Sequence, residues 1–161
     1  MRKVRFAIPA IVLGLAIGST SAASAAEPII HLEFPAGVAC DFALGLDITP
    51  NPHRVFREFK DGAIISAGRG DVLLFTNIDT GKTVSLKDNG SVSMTSSPNP
   101  DGSSTVQATG HNVIILFPTD VPMGPSTTLY EGRVVYTATA TNDFTIISSS
   151  GPTRDICSEL D

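Results

Sequence analysis

Cys40-Asp-Phe-Ala-Leu-Gly-Leu-Asp-Ile48 decides how the rest of the chain is read. Cys40, Phe42, Leu44, Leu46 and Ile48 recur at every second position, while Asp41 and Asp47 fall between them. A period of two places the apolar set on one face of a strand and both carboxylates on the other. Cys40 shares the apolar face, where a disulfide would be shielded from solvent. Pro50-Asn-Pro52 then breaks the run.

Working outward, the same grammar continues. Ile29 to Phe34 is a preceding strand. Val55–Lys60 and Ala63–Ala67 flank Asp61-Gly62 as a hairpin, and Asp71–Asn77 and Lys82–Lys87 flank Asp79-Thr80-Gly81. Asp88-Asn89-Gly90 predicts a tight two-residue hairpin turn into Ser91–Ser96. Ser104–Thr109, Val113–Phe117, Leu129–Ala140 and Phe144–Ser148 follow as strands. Val72–Phe75 and Val113–Phe117 are continuous apolar runs, which predicts central strands covered on both faces. No stretch keeps a helical period. The expected fold is all-β: a single-domain antiparallel β-sandwich, with a small closed β-barrel as the alternative.

The start of the chain carries an address. Arg2, Lys3 and Arg5 precede an apolar segment from Phe6 to Ser19, and Ala23-Ser-Ala25 closes it with small residues. This is the layout of a cleavable signal peptide over residues 1–25, leaving a secreted domain over 26–161. The apolar segment is shorter than the ~20 residues of a membrane span. Without those three basic residues, 8 of the 11 Lys and Arg face all 16 Asp and Glu, a formal charge of −8. An acidic surface with no basic cluster disfavours nucleic acid and anionic membranes as partners. An extracellular or cell-envelope ligand is expected instead.

Both cysteines, Cys40 and Cys157, survive removal of the leader. In an exported protein an even count reads as a disulfide, and one intramolecular pairing is available. Neither cysteine has a neighbour at zinc-ligand spacing.

Several motifs suggest chemistry and lose it on inspection. Arg69-Gly-Asp71 spells an integrin-type tripeptide but sits between strands, where its glycines serve a turn. Gly81-Lys-Thr83 resembles the end of a phosphate loop, yet Thr76 stands where the first glycine belongs and no helix follows. Asn89-Gly-Ser91 has the letters of a glycosylation sequon. His31, His53 and His111 are scattered, and His31 with Glu33 is the closest approach to a ligand pair. No G-x-S-x-G elbow is present. Asp41 and Asp47 lie roughly 20 Å apart along one strand, too far for a glycosidase pair. No catalytic, cofactor or metal residues are assigned. Two surfaces are singled out for contact. His53, Arg54 and Arg57 form the one local basic concentration and would meet an anion, with an amphipathic strand as the simpler reading. The connection from Pro118 to Ser126, with Asp120 and Met123, is the longest irregular segment, and such loops often carry function.

Cys40-x-Phe42, Phe75-Thr-Asn-Ile-Asp-Thr-Gly-Lys82, Leu116-Phe-Pro118, Leu129-Tyr-Glu-Gly-Arg133 and Arg154-Asp-Ile-Cys157 together resemble a group of small exported actinobacterial proteins of unassigned activity. The resemblance covers most of the mature chain. It implies secretion and a paired first and last cysteine, and no catalytic residues. The expected function is a non-catalytic extracellular binding or surface-associated domain. The alternatives are a barrel-type carrier of a small apolar ligand, lined by Val72–Phe75 and Val113–Phe117, and an extracellular hydrolase in which a cleft gathers a carboxylate with one of the histidines.

Overall fold

A computed structural model describes residues 28–90 and 92–161, so the signal peptide expected over residues 1–25 lies outside the described residues. The described residues form eleven strands and one short helix: β1 (Ile30–Phe34), β2 (Leu44–Thr49), β3 (Arg54–Glu58), β4 (Ile64–Gly68), β5 (Asp71–Asn77), β6 (Thr83–Asn89), β7 (Val92–Pro98), β8 (Ser104–Leu116), β9 (Ser126–Ala138), β10 (Phe144–Ser150), β11 (Thr153–Asp155) and α1 (Ile156–Leu160). One group runs β1-β2-β5-β6 and the other β3-β4-β7-β8-β9, with β10 and β11 both laid against β9. Among the described residues these strands pair antiparallel, except at the parallel bridge of Asn89 with His111, where β6 touches β8; an isolated parallel bridge also joins Val121 to Thr145 of β10. The outermost strands β1 and β3 do not pair with each other. The fold is therefore an open β-sandwich, and the closed-barrel alternative is set aside.

Two apolar clusters hold it together. Leu44 and Leu46 of β2, Leu73 and Phe75 of β5 and Leu86 of β6 pack with Leu129, Ile156, Leu160, Ala39 and Cys40. Val106, Ala108, Ile114 and Leu116 of β8 pack with Val134 and Tyr136 of β9, and Phe144 and Ile146 of β10 close over them. A buried side chain the size of Leu or Phe contributes about 1.5–3 kcal/mol. Val113 and Ile115 join the first cluster while Ile114 and Leu116 join the second, so this part of β8 is apolar on both faces because both are covered.

Several expectations change. The strand begins at Leu44, and Cys40 sits in the preceding turn although it is buried in the same core. Val72–Phe75 is covered on one face only: Leu73 and Phe75 are buried, while Val72 and Leu74 are 39% and 36% exposed. Ser104–Thr109 and Val113–Phe117 are not two strands but parts of one, because Gly110 carries the ladder through opposite Gly132. Gly132 has φ +153, and a Cβ there would run into the Ser150 carbonyl, so backbone crowding excludes any side chain. Asn89-Gly90 is not a hairpin turn: β7 pairs with β4 and β8, never with β6, so this segment crosses from one group of strands to the other. The tail forms β11 and then a helical turn, capped by Asp155 Oδ1 accepting from the Ser158 N–H at 3.1 Å, with Ile156 and Leu160 buried.

Candidate functional site

Cys40 and Cys157 are joined by a disulfide, their Cα atoms 5.6 Å apart and 117 positions apart in sequence. Beside it lies a half-open cleft of about 220 Å³ lined by Asp41, Phe42, Ser126, Asp155 and Ser158.

The basic concentration of the sequence is dispersed by the strand pleat. His53 is exposed, before β3 begins. Arg57 lies over the Phe59 ring at 5.3 Å. Arg54 turns to the opposite face and clamps the crossover: its Nη2 donates to the carbonyls of Asn89 at 3.0 Å and Gly90 at 3.2 Å, and its Nη1 lies 3.7 Å from Asp71. The same corner is tied by the Gly90 N–H donating to the His111 carbonyl and by the Val113 N–H donating to Asn89 Oδ1 at 2.7 Å. Arg54 is thus a structural clamp, and His53, Arg54 and Arg57 do not converge on one anion site. Asp71, the acid of Arg69-Gly-Asp71, also accepts the Asn51 N–H at 2.9 Å, so it is held within the fold rather than presented. Ser91 of the sequon lies outside the described residues.

The connection between β8 and β9 separates its two candidates. Asp120 is 4% exposed, and its carboxylate accepts the backbone N–H groups of Phe117 at 2.5 Å and Phe144 at 2.6 Å. It therefore offers nothing to a partner, because burial and both hydrogen bonds commit it to holding the loop. Met123, 78% exposed, remains at the surface.

One histidine meets carboxylates directly, and a second lies in a cleft that a carboxylate also lines. On the outer strand β1, His31 Nδ1 sits 2.5 Å from Asp47 Oδ1 and Nε2 sits 3.2 Å from Glu33 Oε1. These contacts, that with Asp47 foremost, raise the imidazole above its ordinary value. The two ring nitrogens serve different carboxylates on an exposed surface, and no group of three or more His, Cys, Asp or Glu among the described residues could hold a metal ion. The second histidine, His111, lies in a half-open cleft of about 240 Å³ with Ser85, Lys87, Glu131 and Arg154. Arg154 forms a two-pronged pair with Glu159 at 2.9 and 2.7 Å, which raises the guanidinium and lowers the carboxyl. Among the described residues no hydrogen bond joins His111 to Ser85 or to Glu131, so the cleft holds these side chains without the hydrogen-bonded order of a Ser–His–acid relay.

The hairpin β3–β4 shows a different kind of surface. Phe56 stands in a lateral row running Phe56, Ser66, Met94, Ala108 and Val134 across five adjacent strands. Directly paired residues share a face, so Phe56 is on the core side of the sheet. Yet Ala108 and Val134 are fully buried whereas Phe56 is 68% exposed. The hairpin overhangs the layer that covers its neighbours. Ile64 is exposed on the same side, and Val55 and Phe59 on the other. Sequence reading missed this surface. Its signal was present in Arg54-Val-Phe-Arg-Glu-Phe59, where apolar residues fall on both faces of one strand and charges on both as well.

No helix among the described residues is long and apolar enough to cross a membrane. Comparison with known proteins found no matching family model, no matching curated protein and no matching solved structure.

Proposed function

We propose that this chain is a secreted, non-catalytic binding or surface-associated domain that meets its partner through the β3–β4 hairpin. The observation that carries this reading is the exposure of Phe56 at the end of a row whose other members are buried or, at Met94, half-buried. Contiguous apolar surface costs free energy in water, and where it persists on a folded domain it marks contact with another molecule. The disulfide and the acidic surface fit work outside the cell. The carrier alternative gains no support from the two half-open clefts, whose linings are rich in charged and hydroxyl groups. The hydrolase alternative has one place to be tested, the His111 cleft.

Two measurements on the purified domain over residues 26–161 test the reading. Incubation with ester, glycan and peptide substrates should give no turnover above buffer. Turnover that His111→Ala abolishes would overturn it. An environment-sensitive apolar dye should bind the native domain, and Phe56→Ser should remove most of that signal. An unchanged signal would remove the hairpin from the proposal.

A further inference from the structure

The free edge of β3 fits one partner in particular. We propose that it pairs with the β3 edge of a second copy of this chain, antiparallel about a two-fold axis through Phe56. The inference rests on the hairpin being the contact surface and adds what occupies it.

The backbone sets the geometry. Phe59 N–H donates to the Ala63 carbonyl at 2.8 Å. In an antiparallel ladder hydrogen-bonded pairs recur at every second position. With the β3–β4 register, Arg57 with Ile65 and Val55 with Ala67 are therefore the inward pairs. Arg54, Phe56 and Glu58 then turn their N–H and C=O groups outward, where no strand among the described residues pairs with them. An edge in that state is a template for another strand.

The register follows from matching those groups. Antiparallel pairing centred on Phe56 sets Phe56 against Phe56, Arg54 against Glu58 and Glu58 against Arg54, and engages all three outward residues of both copies. No other centre engages all three. This register also sets opposite charges across from each other at both ends, where cross-strand pairs are favourable and like charges are not. Because the Arg54 guanidinium is held at the Asn89 and Gly90 carbonyls, its attraction to the facing Glu58 acts at a distance and not as a direct pair. Val55 falls opposite Arg57, whose guanidinium already lies over the Phe59 ring. The row that ends at Phe56 in one copy continues into the other, and the two rings shield each other. The contact is self-complementary and closes at two copies, as an isologous interface must.

Sedimentation equilibrium of the domain over residues 26–161 should show a monomer–dimer equilibrium below about 1 mM, the weak end of specific association. Phe56→Pro removes one outward N–H and no β3–β4 hydrogen bond, and Glu58→Arg sets arginine against Arg54. Both variants should sediment as monomers at concentrations where the parent is dimeric, with unchanged circular dichroism. Leu32→Lys, on the other free edge β1, should leave the dimer intact. Amide exchange gives a second readout that needs no variant. Protection at Arg54, Phe56 and Glu58 should rise with protein concentration, while Val55 and Arg57 stay protected throughout. A parent that remains monomeric overturns the proposal, as does a dimer that persists in Glu58→Arg without concentration-dependent protection at Phe56. A monomeric parent whose dye binding still depends on Phe56 would leave the hairpin as a contact surface and remove only the second copy as its occupant.

Discussion

The carboxylate of Asp120 accepts the backbone N–H of Phe144 at 2.6 Å, tying the connection between β8 and β9 to the first residue of β10, 24 positions along the chain. Its other oxygen takes the Phe117 N–H, so one buried side chain satisfies two amides that no strand pairs. Asp120→Ala should leave both donors without a partner. Each hydrogen bond to a charged group is worth about 1.5–3 kcal/mol, and with partial rehydration a total loss of about 2–4 kcal/mol is expected. Denaturant unfolding, with the slope compared between variants, measures it. Asp120→Asn should fall between the two, because its amide retains one acceptor.

Gly132 faces the Ser150 carbonyl so closely that any Cβ must displace backbone. Gly132→Ala should destabilise the domain by more than the ~1 kcal/mol typical of a point substitution. A thermal melt checks this. A variant as stable as the parent would show that β9 and β10 can separate locally without cost.

His31 should titrate above its ordinary pKa, since Asp47 and Glu33 both favour the charged ring. The sign of the stability effect follows. A pKa raised in the folded state contributes stability that is fully present below the unfolded value of ~6.5 and is lost as pH rises through the folded value. Proton NMR of the His31 ring should therefore report a pKa that Asp47→Asn lowers more than Glu33→Gln does, Asp47 being the larger cause.

Removing the disulfide with Cys40→Ser and Cys157→Ser together should cost up to ~4–5 kcal/mol, because the bond closes a loop of 117 positions. Reduction of the parent should have the same effect on the unfolding midpoint. A much smaller loss would mean that Ile156 and Leu160, buried beside Cys40, hold the tail without covalent help.

These residues also mark how far the sequence could be read. Alternation at Leu44, Leu46 and Ile48 reports which side chains pack on the core, because a strand's faces are set by its own pleat. Asn89-Gly90 reports only that the backbone can turn there. Which strand comes next is decided by where β7 finds partners, and those lie in β4 and β8. Gly110 interrupts an apolar pattern and so divides one strand into two on paper, although its ladder partner Gly132 carries it through. Asp120 looked like a surface acid in a proline-rich loop. Its role depends on Phe144, a contact no local pattern encodes. The exposure of Phe56 is of the same kind: period two predicts which face it shares, but not that the covering layer stops short of it.

The Cys40–Cys157 bond has a consequence for a domain that encounters proteases. It makes residues 40–157 a covalent ring, with every strand from β2 to β11 inside it. One cut at an exposed tip, such as the Asn99–Ser103 turn, opens the ring but frees no fragment. The two pieces stay tethered, and the strands on either side of the cut can re-pair at the effective concentration of neighbours rather than of strangers.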